Sequence, residues 1–177
     1  MEKKDSNIKK SRFMSTENTR VQTYLSFKMA EELFAINVSK VINILEMRHI
    51  TKVPKTPDYM KGVINLRGTV LPVVDLRIKF GLPEAENTVD TSIIVLNIEK
   101  EGETIMLGTL VDAVREVLEL KDDEIADSPS IGTKYNSGYI QGMYRMDEHF
   151  IMILDIDKIF SVDDIIDVKE QMLQTTN

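Results

Sequence analysis

Few residues of this chain could carry out catalysis. The two histidines, His49 and His149, are candidates for general acid–base work, and the paired carboxylates Asp155 and Asp157 could hold a metal ion or share a proton. The chain has no cysteine, which excludes disulfides, thiolate zinc sites, iron–sulfur clusters and cysteine nucleophiles. It also lacks the short motifs of phosphate-binding loops, dinucleotide folds, zinc proteases and serine hydrolases. We therefore predict that the protein is not an enzyme and has no catalytic, cofactor or metal site.

The sequence elements around these groups favour structural roles over chemistry. His49 ends a β-prone run and His149 lies in a predicted hairpin turn, so both are interpreted as ordinary histidines. Asp75 and Asp155 each precede a short helical segment, where a carboxylate accepts hydrogen bonds from the unpaired backbone N–H groups of the first turn. Both are predicted to be helix N-caps, and acid–base or metal chemistry at Asp155 is the alternative.

Composition and charge limit the class of partner. The chain has 177 residues, 42% hydrophobic and 29% charged, which is typical of one globular domain or two small ones. A net charge of −7 argues against binding to nucleic-acid phosphates. Residues 40–80 contain eight Lys or Arg and three acids, whereas residues 99–127 contain ten acids and three bases. This asymmetry indicates either solvated faces or a charge pattern that orients protein partners.

The N-terminal segment and the apolar runs predict the compartment. Residues 1–20 are polar and show no periodicity, so they are predicted to form a disordered arm. The basic residues near the start of this arm are Lys3, Lys4, Lys9, Lys10 and Arg12. No apolar region follows these charges, which argues against a secretory signal, and no apolar run approaches the ~20 residues needed to span a bilayer. We expect a cytoplasmic protein that does not insert into a membrane.

Apolar periodicity predicts a chain made mainly of short β-strands. Alternation from Val21 to Met29 predicts a half-buried strand, and Leu33 to Val38 is predicted to return as its hairpin partner. Further strands are predicted at residues 41–47, 62–66 and 69–74. The end of the chain is predicted to form an amphipathic helix with these apolar residues on one side: Val162, Ile165, Ile166, Val168 and Leu173.

The sequence repeats itself at two offsets. Residues 62–80 align without a gap with residues 142–160, and residues 34–47 align with residues 107–120. Such a duplication, with about five short strands and one short helix in each copy, predicts a mainly β fold of two small barrels packed together. The predicted units are a first barrel at about 21–85, a second at about 90–161, and a terminal helix and tail at 162–177.

Arg67 stands out because the second copy of the repeat does not retain it. Asp147-Glu148 replaces the Arg67-Gly68 turn in that copy, so the barrel does not require the arginine. A turn arginine is often only a solvated charge, but its planar guanidinium also suits recognition of carboxylate or carbonyl groups. Arg67 is therefore a candidate contact residue.

Several segments of the chain match a known family. The most specific is Pro57-Asp-Tyr-Met-Lys-Gly-Val-Ile-Asn-Leu-Arg-Gly-Thr-Val-Leu-Pro-Val-Val-Asp-Leu-Arg, followed by Ile93-Ile-Val-Leu, Leu110-Val-Asp-Ala-Val-Arg-Glu-Val-Leu and Ile151-Met-Ile-Leu-Asp-Ile-Asp-Lys-Ile-Phe. From about Val21 to Phe160 the chain resembles the CheW family of bacterial chemotaxis coupling proteins. The resemblance implies two SH3-like five-stranded β-barrels, short helices and a C-terminal helix. It also allows elements to be exchanged between the halves, in which case sequence repeats and barrels do not coincide.

The resemblance implies a function and a site as well. The family is non-enzymatic and couples the cytoplasmic tips of chemoreceptors to the regulatory domain of the histidine kinase CheA in membrane-associated arrays. The receptor tip lies in a groove between the barrels, and the residues that match its lining are Val41, Asn43, Arg67, Ile93, Gly108, Val114 and Val117. This chain departs from the family at Asn43, where an acidic residue is common.

Two other functions are alternatives. A coupling protein of another receptor pathway, such as surface motility, fits the same residues. A small OB-type barrel that binds single-stranded nucleic acid belongs to a different class. The 6% aromatic content, the absence of tryptophan and the net charge of −7 count against this second alternative, and we expect no nucleic-acid partner.

Overall fold

Short strands dominate the computed structural model, which describes residues 19–127 and 138–175. The predicted arm, residues 1–20, lies outside the described residues except for its last two, and so do the last two residues of the tail. The described strands are β1 (Val21–Met29), β2 (Glu32–Asn37), β3 (Val41–Glu46), β4 (Met60–Leu66), β5 (Thr69–Asp75), β6 (Ser92–Lys100), β7 (Glu103–Val111), β8 (Ala113–Lys121), β9 (Ile125–Ala126), β10 (Ile140–Met146) and β11 (His149–Leu154). The described helices are α1 (Leu76–Lys79), α2 (Ile156–Ile159) and α3 (Val162–Thr175), with 3₁₀ turns at Val38–Lys40 and Asp122–Glu124.

The strands form two curled sheets. The described strands of one, here called the β1 sheet, run in the order β8-β1-β2-β11-β10-β9, and those of the other, the β3 sheet, run in the order β3-β6-β7-β5-β4. Each sheet contains a parallel pair, β2 with β11 in the β1 sheet and β5 with β7 in the β3 sheet, among otherwise antiparallel neighbours. The prediction of a mainly β fold is confirmed.

The two sheets do not follow the two halves of the sequence. The β1–β2 hairpin lies in one sheet with β8, β10 and β11, whereas the β6–β7 hairpin lies in the other with β3, β4 and β5. The chain crosses between the sheets at Val38–Lys40 and again at Asp112. The predicted barrels 21–85 and 90–161 are therefore not the spatial units, because each copy of the repeat contributes its first hairpin to the sheet of the other copy.

The strand registers show the duplication in three dimensions. Val73 of β5 pairs with Gly108 of β7. The residues at the equivalent positions of the repeat, Ile153 of β11 and Ala35 of β2, pair in the same parallel arrangement. Each parallel pair joins an exchanged hairpin to the strands of the other copy, so the exchange is the same in both sheets.

β1 is buried on both faces along its centre. Leu25, Phe27 and Met29 belong to the central apolar cluster. Tyr24 and Ser26, which point to the opposite face, are only 1% and 2% exposed. That face is covered by a smaller cluster in which Tyr24 packs with Ala35, Leu120, Ile151 and Ile153. The prediction of a half-buried strand is wrong here, because β2, β8 and β11 bring apolar side chains onto the face that alternation assigned to solvent.

The central cluster joins the two sheets and is closed by α3. It contains Phe27 of the β1 sheet and Leu107 of the β3 sheet, together with Ile165 and Val168 of the helix. The predicted terminal helix is confirmed, but its buried side runs through Ile165, Val168 and Gln171. Three residues that we assigned to that side, Val162, Ile166 and Leu173, are instead 40%, 47% and 68% exposed.

Candidate protein-binding surface

β3 and β8 are edge strands at equivalent positions of the two sheets. Each starts directly after a crossing between the sheets, β3 after Lys40 and β8 after Asp112. Val41 and Val114, near the starts of these strands, are partly buried and both pack against the central cluster. The two edge strands therefore border the same core, and we call residues 41–44 and 114–117 the edge-strand surface.

Both edge strands carry a bulge at the same place in the repeat. The register of β3 against β6 shifts between Val41 and Asn43, and the register of β8 against β1 shifts at the equivalent position. At the β8 bulge, the hydroxyl of Ser26 on β1 forms hydrogen bonds with both backbone groups of Glu116. It donates to the Glu116 carbonyl oxygen at 2.8 Å and accepts from the Glu116 N–H at 3.0 Å. A bulge bends an edge strand and disfavours the addition of another strand. The bulges therefore leave the side chains, rather than the backbone edges, to define this surface.

The edge-strand surface exposes apolar side chains. Ile42 and Ile44 of β3 are 46% and 43% exposed, and Val117 of β8 is 61% exposed. Asn43 is exposed between the two isoleucines, and its Oδ1 accepts a hydrogen bond from the Ile44 N–H at 2.8 Å. Ile42 and Ile44 were not among the predicted site residues. The apolar run that contains them was visible in the sequence, but such a run also fits a fully buried strand.

Two of the predicted site residues are buried in the β3 sheet and are not part of this surface. Ile93 of β6 is fully buried, and Gly108 of β7 is buried beside it. A Cβ atom at Gly108 would lie 2.7 Å from Ile93 Cγ2, so a larger residue would displace the Ile93 side chain. Ile93 pairs with Leu45 of β3. In this structure neither residue offers side-chain surface to a partner. Ile93 and Leu45 belong to a separate apolar cluster of the β3 sheet.

Arg67 lies on the β4–β5 turn, three strands away from β3 in the hydrogen-bonded order of its sheet. The turn places Arg67 at φ 51° and Gly68 at φ 84°, and the Asn65 Oδ1 accepts a hydrogen bond from the Gly68 N–H at 2.7 Å. Arg67 is exposed. Among the described residues no ion pair or hydrogen bond engages its guanidinium. The turn is thus held by Asn65 and Gly68, and the arginine side chain is available to a partner.

Asp75 caps α1 and also anchors a buried arginine. Its Oδ1 accepts a hydrogen bond from the Arg77 N–H at 2.9 Å, the geometry of an N-cap. The same carboxylate accepts two bonds from the Arg77 guanidinium, at 2.9 and 2.8 Å, and Arg77 Nη1 also donates to Asp112 Oδ1 at 2.7 Å. The Arg77 side chain is 3% exposed. The hydrogen bonds to Asp75 raise the pKa of Arg77 in spite of its burial, and the Asp112 carboxylate adds to the effect.

The second copy holds a cluster of inverted charge at the equivalent place. Asp155 caps α2 by accepting from the Asp157 N–H at 3.2 Å. Asp157 occupies the repeat position of Arg77, lies 2.8 Å from Lys40 Nζ and accepts from the Glu99 N–H at 2.9 Å. Burial alone would lower the pKa of Lys40, but the hydrogen bond and charge of Asp157, with Glu99, raise it. Both carboxylates of the predicted pair are thus engaged in structural bonds.

Asp164 ties the start of α3 to the β3 sheet. Its carboxylate accepts hydrogen bonds from Tyr59 Oη at 2.6 Å, from Lys79 Nζ at 2.9 Å and from the Ser161 N–H at 2.7 Å. The Asp164 N–H donates in turn to Ser161 Oγ at 3.1 Å, which completes a capping box. Burial raises the pKa of Asp164, but the hydrogen bonds outweigh burial and lower the pKa to about 2. Burial and the bond to Asp164 raise the pKa of Tyr59.

The remaining candidates for chemistry are dispersed. His49 and His149 are both exposed, one beyond β3 and the other at the start of β11. Within residues 19–127 and 138–175, no three side chains of the metal-binding types are grouped to hold an ion. None of the helices described here has the length and apolar character to cross a membrane.

Comparison with known proteins identifies the family. A family model described as the CheW-like domain matches residues 23–164. The chemotaxis protein CheW of Klebsiella aerogenes is 35% identical over 143 residues, which cover 79% of this chain and 82% of that protein. CheW of Thermotoga maritima is 34% identical and covers 76% of this chain and 85% of its own length. The crystal structure of the scaffolding protein TtCheW from Thermoanaerobacter tengcongensis superimposes with a TM-score of 0.72 at 30% identity, over 84% of this chain and 94% of that one. The exchanged SH3-like sheets and these matches together show that the chain belongs to the CheW family of chemotaxis proteins.

Proposed function

We propose that the protein is a non-enzymatic adaptor that couples the cytoplasmic tips of chemoreceptors to the regulatory domain of the histidine kinase CheA. The observation that carries this proposal is the match of residues 23–164 to the CheW-like domain. The relatives named above are chemotaxis proteins, and one of them is a scaffolding protein. An adaptor of this kind works in the cytoplasm and is recruited to receptor arrays at the membrane.

The edge-strand surface supports the receptor half of the proposal. Ile42, Ile44 and Val117 present apolar area on two edge strands that border one core. An amphipathic helix that lays its apolar face on such a surface buries these side chains without requiring a strand partner. The receptor tip is assigned to this surface. Val41 and Val114 form its floor, and Ile93 supports β3 by pairing with Leu45.

Arg67 lies outside the edge-strand surface, on the β4–β5 turn, and is assigned a second, polar contact with the receptor. Its guanidinium is exposed, and its turn is held by other residues. Truncating one partner of a buried or partly buried charged contact across an interface costs about 2–5 kcal/mol of binding free energy. Arg67 is therefore assigned to carboxylate or carbonyl groups of the receptor. Asn43 is already bonded to the neighbouring backbone through its Oδ1, which leaves its amide N–H₂ as a neutral donor.

The kinase half of the proposal places CheA on barrel surface rather than on the arm. Residues 1–20 lie outside both copies of the repeat and contain few apolar side chains that could anchor a partner. A partner that recognises the fold must therefore bind the sheets. The adaptor then joins two proteins through two different surfaces and needs no chemistry of its own.

A three-protein assembly tests this function. Purified protein, a chemoreceptor cytoplasmic fragment and CheA should form a complex in which CheA autophosphorylation depends on the adaptor. Ile44→Asp should abolish receptor binding and keep CheA binding, because it places a charge on the apolar surface of β3. Val89→Asp is the matched control, since Val89 is fully exposed in the segment before β6. The proposal is refuted if the wild-type protein fails to bind the receptor fragment or fails to bind CheA.

A further inference from the structure

Two charged clusters connect the sheets, one at each crossing of the chain. Arg77 and Asp157 occupy equivalent positions of the repeat, whereas Asp112 aligns with Ser39, the neighbour of Lys40. The Arg77 cluster consists of Arg77 between the carboxylates of Asp75 and Asp112. The Lys40 cluster consists of Lys40 between the carboxylates of Asp157 and Glu99. Each cluster therefore holds one cation between two anions. The helix after β5 supplies the cation of the Arg77 cluster, whereas the crossing before β3 supplies the cation of the Lys40 cluster.

The Arg77 cluster fixes the chain immediately before β8. Arg77 lies on α1, which follows β5 of the β3 sheet, and it donates to Asp112 Oδ1 at 2.7 Å. The other oxygen of Asp112 accepts from the Ala30 N–H in the β1–β2 turn at 2.6 Å. The Asp112 N–H donates to the Lys28 carbonyl oxygen of β1 at 2.9 Å. One carboxylate thus connects a helix of the β3 sheet to the hairpin of the β1 sheet.

The Lys40 cluster fixes the chain immediately before β3. Asp157 lies on α2, which follows β11 of the β1 sheet, and its carboxylate accepts from Lys40 Nζ at 2.8 Å. The same carboxylate accepts from the Glu99 N–H of β6, the neighbour of β3, at 2.9 Å. The side chains of Lys40 and Asp157 are 22% and 29% exposed, so this cluster is partly solvated.

Such clusters allow little freedom of geometry. Without Asp112 the buried guanidinium keeps the Asp75 carboxylate, but its Nη1 retains only the 3.4 Å hydrogen bond to the Ala85 carbonyl oxygen. Loss of the short bond to Asp112 is therefore costly at this buried site. Each cluster acts at the residue from which an edge strand starts. Apolar contacts are non-directional, whereas the hydrogen-bonded charges at both crossings specify a distance and an orientation.

We propose that Arg77, Asp112, Lys40 and Asp157 are positioning residues that hold β3 and β8 at one fixed separation and so shape the edge-strand surface for its partner. Only the identity of that partner rests on the proposed function. The inversion of charge between the copies supports this assignment, because an ion pair of either polarity performs the same positioning.

The separation of the two strands can be measured directly because the chain has no cysteine. Ile44→Cys and Val117→Cys, both at exposed positions on β3 and β8, accept spin labels for pulsed dipolar distance measurements. We expect one narrow distance distribution in the otherwise wild-type protein. Asp112→Asn and Lys40→Gln should each broaden or shift it, and Lys40→Arg should keep it narrow because it retains the charge.

Lys61→Gln is the matched control, since Lys61 pairs with Glu84 at 2.7 Å without joining the two sheets. This variant should leave the distribution unchanged. An unchanged distribution in both Asp112→Asn and Lys40→Gln overturns the proposal, and Lys40→Gln alone decides the question if Asp112→Asn fails to fold.

The same substitutions without labels separate this inference from the proposed function. Asp112→Asn and Lys40→Gln should lower affinity for a receptor fragment by about tenfold, the size of a typical coupling between sites. CheA binding should fall only in proportion to any unfolded fraction. A broadened distribution with unchanged receptor affinity supports the positioning role and refutes the assignment of the receptor to the edge-strand surface.

Discussion

Arg77 Nη1 and Asp112 Oδ1 lie 2.7 Å apart, although 35 residues separate them in the sequence. The Arg77 side chain is 3% exposed, and its equivalent in the other copy, Asp157, is 29% exposed. A charge in the first environment depends on its partners far more than a charge in the second. Equivalent residues of the two copies should therefore differ in their contribution to stability.

The two helix caps test this difference. Asp155→Ala removes an ordinary N-cap and should lower the free energy of unfolding by roughly 0.5–2 kcal/mol. Asp75→Ala removes the same cap and also leaves the buried Arg77 without its bidentate partner, so the loss should be about 3–5 kcal/mol. Urea denaturation of both variants measures the two values. Equal losses would contradict the account of the Arg77 cluster.

Much of the fold could be predicted because it depends on local patterns. Alternation located β1 and its hairpin, and the repeat offsets gave the equivalence of β3 with β8. The exchange of hairpins could not be derived from the residues, because the offsets are the same whether or not the hairpins change places. Pairing of β5 with β7 depends on contacts between residues far apart in the chain, such as Val73 with Gly108.

The candidate site was only partly visible in the sequence for a related reason. Burial decides whether a residue can touch a partner, and the sequence does not show that Ile93 is buried while Ile44 is exposed. Arg77 was missed because a buried arginine and a solvated one look alike until Asp112 is placed beside it. The sequence does show that the second copy has no arginine at the position of Arg67, because the repeat aligns two equivalent turns.

Stability at low pH should depend on Asp164. Its pKa is about 2 in the folded protein and 3.8 in an unperturbed carboxyl group. Because folding lowers this pKa, the contribution of Asp164 is fully present above about pH 4 and is lost as the pH falls toward 2, a total on the order of 2 kcal/mol.

Denaturation of Asp164→Asn across this range checks the expectation. The variant should be less stable than wild type at neutral pH and should lose less stability on acidification. Asp163→Asn, at the exposed neighbouring position, is the control and should follow the wild type. If Asp164→Asn shows the wild-type loss between about pH 4 and 2, another carboxylate is responsible.

Gly62 of β4 and Gly142 of β10, each at a register shift against the neighbouring strand, should not tolerate substitution equally. Gly62 has φ 138°, and a Cβ there would meet the Thr51 carbonyl. A Cβ at Gly142 would lie 2.4 Å from Ile125 Cγ2 and 2.9 Å from the Ala126 carbonyl oxygen, but Gly142 does not have a positive φ. Gly62→Ala should therefore destabilise the protein by about 3 kcal/mol or more, and Gly142→Ala by less. Thermal melts of both variants measure the difference, and the reverse order would contradict it.

Removal of the arm should leave CheA binding intact. A chain that begins at Thr19 retains β1 and both sheets, and it loses only residues outside the repeats. Its melting temperature and its retention of CheA in a pull-down should match those of the full chain. A shortened chain that folds normally but no longer binds CheA would show that the arm carries part of the kinase contact.

Arg67 and Asp147 occupy equivalent turns with similar backbone, at φ 51° and 55°. Glycine adopts this conformation more readily than either residue, so Arg67→Gly and Asp147→Gly should both be at least as stable as wild type, by up to about 1 kcal/mol. Arg67→Ala should fold like wild type. Thermal melts measure the stabilities of the three variants against wild type, and CheA binding should be unchanged in all three.

Receptor-dependent CheA kinase activity in the three-protein assembly tests the adaptor function most directly. With Arg67→Gly the receptor affinity should fall tenfold or more, as expected for the loss of about 2–5 kcal/mol at a charged contact, and kinase coupling should be lost. Asp147→Gly should couple receptor and kinase like the wild type. Full coupling by a stable Arg67→Gly protein would contradict the account and leave Arg67 as a solvated turn residue.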